Sequence, residues 1–401
     1  MPHYEKRIRR LRLLVFLAYT IAFTAPNYAH YQLSPLANRL MEELSLTQGQ
    51  FAAIFSAPMI PSIFLSILCG ILVDRYKYKY LVGAAIGLSA LGVIGRIFAS
   101  TYLQLYICMM LTGVSTGFVT AVGAKIMGSV FAPRKVALMI GYAVAIGNAG
   151  MILAMSTTAM FPSATAAFIV SGVLIAADLA VWFIAVPADS YDPESENDED
   201  GEISIRHCLG VVLRNRHVWM VAAGMFFVNG ALAGLSSLVS AALMSRGMSE
   251  TGAGAVSAFI MVGNLCGSLF TPNIAARTGK TRPILVLLSL AAAAGTAFSW
   301  LASRGFALYA ALLVTGFAAG GVLILLLSMN IRLPGVGPMY AGTAGGVTST
   351  ANVLGGVTIP AYIASAIAGG NYRIYFIVCG AGMLLCAAAM LLLPRAVDGK
   401  A

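Results

Sequence analysis

The chain has 401 residues, 59% of them hydrophobic and only 10% charged, where a water-soluble domain carries about a quarter charged residues. It contains no Walker loop, no zinc-ligand spacing and no nucleophile elbow, which excludes an ATP-driven pump within this chain and leaves no case for an enzyme or a bound cofactor. The formal net charge of +10 is no argument for nucleic acid, because the basic residues cluster between apolar runs.

Those runs recur along almost the whole length. Each is long enough to cross a hydrocarbon core of about 30 Å as a helix. The first covers 11–36, after the basic opening "YEKRIRRLR"; it is too long for a signal peptide and lacks a small-residue cleavage site, so it reads as a retained span. The others fall at 50–74, 80–99, 103–130, 136–160, 164–187, 217–244, 250–275, 283–302, 306–331, 340–368 and 372–394, which predicts twelve membrane helices and no strands. Many of the 42 glycines lie inside these runs, where small residues let helices approach closely. The six cysteines (69, 108, 208, 266, 379 and 386) have no CxxC or metal spacing and read as packing residues.

One stretch interrupts the pattern. "PADSYDPESENDEDGE" (187–202) holds eight of the fifteen acidic residues and reads as a solvated tether. It predicts a six-helix bundle over 1–187, an acidic cytoplasmic linker over 188–216 and a second six-helix bundle over 217–401. With an even number of spans both termini share a side. Assigning alternate connections to that side collects 19 Lys and Arg residues, against 4 on the other. By the positive-inside rule both termini are then cytoplasmic, in the cell (inner) membrane.

Charges inside spans are expensive and mark function by default. Three stand out: Arg96 late in the third span, Lys125 in the fourth and Asp178 in the sixth. Lys125 and Asp178 could form an ion pair within the first bundle; otherwise Lys125 is a substrate-binding cation and Asp178 a proton site. Arg96 either anchors an anionic group or snorkels outwards. Neutral polar residues also sit within spans: Asn27, Tyr28, His30, Tyr31 and Gln32; Thr112, Thr116 and Thr120 at four-residue spacing; Asn148; Asn229, Asn264 and Asn330; and Thr348, Thr350 and Asn352. Each is either glue between helices or the lining of a cavity.

"GILVDRYKYK" after the second span resembles the hallmark loop of the major facilitator superfamily, with Gly70, Leu72, Asp74 and Arg75 matching and Lys77 replacing a glycine. About half a chain later, "TPNIAARTGKTRPIL" repeats the basic loop, as expected of two bundles that rock about a central site. The resemblance implies a conformational latch formed by Gly70, Asp74 and Arg75, with Arg134 as partner. It also implies that spans one, four, seven and ten line a cavity, which makes Tyr28, Thr116, Asn229 and Asn330 candidate substrate contacts beside Arg96, Lys125, Asn148 and Asn264. Phe131, Pro133, Arg134, Gly141, Gly147, Asn148 and Gly150 are similar to the cyanate and nitrate/nitrite porter branches, although the paired substrate arginines of nitrate porters are absent.

The expectation is a secondary transporter moving a small organic or inorganic anion by alternating access. It would work as a monomer in the lipid bilayer, with a coupling proton or counter-anion. Proton-coupled export of apolar or cationic compounds, or a transporter-like receptor that moves nothing, are the alternatives.

Overall fold

The computed structural model describes residues 2–65, 77–131, 133–187, 205–301, 305–330 and 333–394, and all regular structure among them is helical. Ten helices among the described residues are long and apolar enough to cross a membrane. They coincide with the last ten predicted spans. The first predicted span falls on helix α1 (Pro2–Tyr31). The second runs through α3 (Gln48–Ser56) and a 3-10 turn (Ala57–Met59) and then leaves the described residues. Between them lies the short α2 (Ala37–Glu43).

Contacts divide the chain into two compact units, Met1–Leu46 with Ala57–Asp198, and Thr47–Ser56 with Glu199–Ala401. Segment Thr47–Ser56 thus packs with the second unit although its chain neighbours belong to the first. There α3 lies against a π-helical turn (Ile359–Ala364), Gln48 donates to the Gly370 carbonyl at 2.8 Å, and a Cβ on Gly49 would crowd Ser365.

The first unit continues with α4 (Tyr78–Gly95), α5 (Tyr102–Gly128), α6 (Pro133–Thr157) and α7 (Ala164–Ala185). The second contains α8 (Ile205–Arg214), α9 (Arg216–Ser245), α10 (Glu250–Thr278), α11 (Thr281–Leu301), α12 (Phe306–Met329), α13 (Gly337–Thr358), α14 (Ser365–Ala368) and α15 (Tyr372–Leu391). Helix α8 lies inside the 188–216 stretch expected to be a linker, just after its acidic run. Its Val212 is buried, and Trp219 donates to the Leu213 carbonyl at 2.8 Å, so apolar burial wins over the acidic composition nearby.

Each unit uses the same pairing of its own helices. In the first, α1 packs on α6 and α4 on α7; in the second, α9 packs on α13 and α11 on α15. A close approach on both sides is that between α10 and α12. A Cβ on Gly263 or Gly267 would strike the backbone of Leu313 or Phe317, and one on Gly316 or Gly320 the backbone of Ile260 or Asn264. Two four-residue glycine spacings therefore interlock, the arrangement by which helices associate without a hydrophobic drive.

Helix α7 shows how the units suit lipid. Ser171, Ile175, Asp178 and Trp182 lie on its buried face, while Val173, Leu174 and Ile184 are exposed. Polar side chains point inward and apolar ones outward, the reverse of a water-soluble helix. Arginines also close helix ends. Arg12 donates to the Val130 carbonyl at 2.8 Å and Arg39 to Phe161 at 2.9 Å, and Arg282 donates to Leu391. Cations are favoured at C-terminal helix ends, where carbonyls lack partners.

Candidate functional site

In the first unit the register of α1 fixes the level of its neighbours. Arg12 reaches Val130, and a Cβ on Gly123 would meet the Tyr19 ring, so α5 runs antiparallel to α1 and Thr116 comes level with position 26. On α6, Gly147 closes on Phe23 and Gly150 on Thr24, which puts Asn148 level with about position 24. Tyr28, Thr116 and Asn148 therefore lie within about 6 Å along the unit, on three helices that pack against one another. All three are half-buried, and none has a side-chain hydrogen bond among the described residues. The neighbouring threonines are spent: Thr112 donates to Cys108 at 2.9 Å and Thr120 to Thr116 at 2.7 Å, both within their own helix. This level is the candidate substrate patch.

Arg96 is 1% exposed and does not snorkel; its bond to the Ala29 carbonyl puts it level with Tyr28, with which it interacts electrostatically. Its guanidinium donates to the Ala29 carbonyl at 2.6 Å, to Gln32 Oε1 at 2.9 Å and to Ser171 Oγ at 2.5 Å. It also lies 4.4 Å from the centre of the Phe168 ring, and Gln32 passes the link on to the Ala167 carbonyl at 3.1 Å. Arg96 thus clips α1 to α7 from the end of α4. Gln32 stood out in the sequence only as a polar residue within a span and Ser171 not at all, because nothing in a linear pattern shows that they converge on one cation.

Lys125 is half-buried and lies nine residues, or about two and a half helical turns, beyond Thr116, hence on the opposite face of α5. Asp178 is 0% exposed, and neither of its oxygens has a hydrogen-bond partner. Lys125 and Asp178, for which an ion pair was one of two readings, share no hydrogen bond. Around Asp178 the seam of α1, α4 and α7 is apolar. Ala25, Ala29, Ala90, Val93 and Ile175 pack on one side, and Ala18, Ala22, Val82, Ile86 and Trp182 belong to the core on the other.

In the second unit, Asn229 donates to the Asn352 carbonyl at 2.8 Å, and Asn330 donates to Thr348 Oγ1 at 3.0 Å. Thr348 and Asn352 are one turn apart on α13, so two of the three candidate asparagines meet one strip of that helix. Asn264 is not brought to it. Its backbone sits against Gly316 and Gly320 in the α10–α12 contact. The latch residues Gly70, Asp74 and Arg75 lie outside the described residues, as does the Arg134 side chain.

A family model described as Major Facilitator Superfamily matches residues 12–360. A protein from Cupriavidus pinatubonensis (strain JMP 134 / LMG 1197), named "Probable 4-methylmuconolactone transporter", is 29% identical over 259 residues, 62% of this chain and 59% of that protein. The chain thus matches about three-fifths of that relative's length. An uncharacterized protein from Archaeoglobus fulgidus is 28% identical over 152 residues, 38% of this chain and 68% of its own length.

Among solved structures, an inward-facing, unoccupied bacterial homolog of the human lysosomal transporter Spinster aligns with a TM-score of 0.76 at 15% identity, covering 98% of this chain and 99% of that one. The nucleoside transporter NupG aligns at 0.75 with 11% identity, covering 95% and 98%. At these identities the structures establish the fold alone. With the matched model spanning most of its length, the chain belongs to the Major Facilitator Superfamily.

Proposed function

We propose that this chain is a secondary active transporter that moves a small organic acid or its lactone through the cytoplasmic membrane by alternating access. The observation that carries the reading is the level shared by Tyr28, Thr116 and Asn148. These are half-buried donors and acceptors without side-chain hydrogen bonds among the described residues, in a chain whose curated relative is named for a lactone. Buried polar groups left unpaired are costly, and an oxygen-rich solute would satisfy them. The case for an inorganic anion weakens, since Arg96 is consumed by Ala29, Gln32 and Ser171.

The test is uptake of labelled 4-methylmuconolactone and simple organic acids into proteoliposomes. Tyr28→Phe, Thr116→Val and Asn148→Ala are each expected to lower uptake roughly tenfold through lost binding, with Tm unchanged. Undiminished uptake in all three variants would refute the assignment of the patch. Binding without flux would instead make the protein a receptor.

A further inference from the structure

Asp178 is a buried acidic group that the transport reading leaves unused. It sits on the inward face of α7 between Ile175 and Trp182, fully buried and without a hydrogen-bond partner on either oxygen. An ionised carboxylate there would be an unpaired charge among alanines, valines and isoleucines, which a membrane interior does not tolerate without a partner. Nor does the residue serve as glue, because it holds nothing.

The opposing helices show what the site can accept. Helix α1 runs antiparallel to α7: Gln32 reaches Ala167, and Arg96 joins Ala29 to Ser171. That register brings Asp178 level with Ala22. Four residues further along α1 is Pro26, which is also buried and has no N–H to give the Ala22 carbonyl. So at the level of Asp178 the facing helix lacks one of its own donors to a carbonyl, and that carbonyl is an acceptor for an acid's proton. On α4, Gly83 meets Phe183 and Gly172 meets Ile94, which brings Ser89 to the same level. Its hydroxyl is already committed to the Thr112 carbonyl at 2.8 Å.

The titratable or charged side chains that α1 and α4 bury are Tyr19, His30, Tyr78 and Arg96. Arg96 is fixed at Ser171, seven residues or about 10.5 Å along α7 from Asp178. The level therefore offers an acceptor for a neutral acid and no donor for its anion.

We propose that Asp178 is a proton-binding site, loaded as the neutral acid while α1 lies in the seam facing the Pro26 notch, and emptied when α1 leaves it. The step is –COO⁻ + H⁺ → –COOH, with the proton taken from and returned to water. Because α1 also carries Tyr28 of the substrate patch, a movement that unloads Asp178 alters that patch too. This makes the transporter proton-coupled, an extension that rests on the transport reading.

The proton site itself is tested without substrate. Infrared spectra of the purified protein are titrated from acid to alkaline pH for the wild type, Asp178→Asn and Asp178→Glu. The expected result is a protonated-carboxyl band in the wild type, absent in D178N and shifted in D178E. Wild-type Tm should fall on the alkaline side relative to D178N, and Pro26→Ala, which restores the missing N–H, should bleach the band at lower pH. No band attributable to Asp178, or Tm profiles that run parallel through the titration, would overturn the site, and D178E keeps the comparison available if D178N fails to fold.

In proteoliposomes, accumulation of 4-methylmuconolactone driven by a pH gradient should drop about tenfold in D178N and persist in D178E; equal accumulation in D178N and the wild type would overturn the coupling. If the wild type moves no probe, the transport reading and the coupling built on it both fail, while the infrared and Tm results still decide the proton site.

Discussion

Arg96 shows what one residue's surroundings do to a reading based on its type. An arginine inside an apolar span stands out in the sequence, and substrate anchor and outward snorkel are both reasonable uses of it. The structure rules out the snorkel and commits the guanidinium to partners from α1 and α7, far away in the chain. No periodicity within its own span carries that information. Asp178 was more legible: Ser171, Ile175, Asp178 and Trp182 follow helical spacing, so its sharing a face with a large aromatic could be read in advance. The missing partner could not. For Arg96 the expected outcome of Arg96→Ala is a loss of at least about 2 kcal/mol, since bonds to a charged donor contribute about 1.5–3 kcal/mol each and buried acceptors are left unmade. Arg96→Lys should recover little of it, because an ammonium lacks the planar fork and the stacking on Phe168. Thermal unfolding in detergent measures both. A wild-type Tm for R96A would show that the clip contributes nothing.

At the scale of helices, small residues decide which pairs can touch. The glycine-rich character of the spans is plain from composition, but its consequence depends on facing. Of the three porter-like glycines on α6, Gly147 and Gly150 close on α1, while Gly141 has nothing within 4 Å of where a Cβ would be. Gly263, Gly267, Gly316 and Gly320 interlock backbone to backbone. Their four-residue spacing was available in the sequence as a signal for close packing; which helix each pair would meet was not. Gly267→Leu or Gly316→Val is therefore expected to force α10 from α12 and cost about 1–3 kcal/mol or more, as overpacking does. Gly87 on α4 has open space at its Cβ, and Gly87→Ala should be neutral or stabilising by up to about 1 kcal/mol through helix propensity. Paired Tm measurements on these variants separate the two classes, and equal effects at Gly87 and Gly316 would contradict the contact.

For the whole molecule, the legible feature is the distribution of apolar runs and basic residues, since a bilayer imposes both span length and charge bias on the chain itself. What stayed hidden is the allegiance of Thr47–Ser56. This segment is continuous with the first unit in sequence and packs with the second in space, because helix contacts rather than chain order decide compactness. The basic bias also has a competing explanation, as arginines cap helix ends. Capping uses Arg12 and Arg282 on the richer side and Arg39 on the poorer one, so it leaves most of the 19-to-4 asymmetry unexplained. We propose that orientation accounts for the remainder. A fluorescent reporter fused after the last helix should therefore light up in the cytoplasm, and an alkaline phosphatase fused there should stay inactive. Single cysteines at Arg246 and Arg373, which lie between spans on the poorer side, should react with an impermeant maleimide applied to whole cells. Cysteines at Lys135 and Lys280 should react only after the membrane is opened. Labelling of all four positions from outside, or an active phosphatase fusion, would mean that the charge bias does not orient this chain.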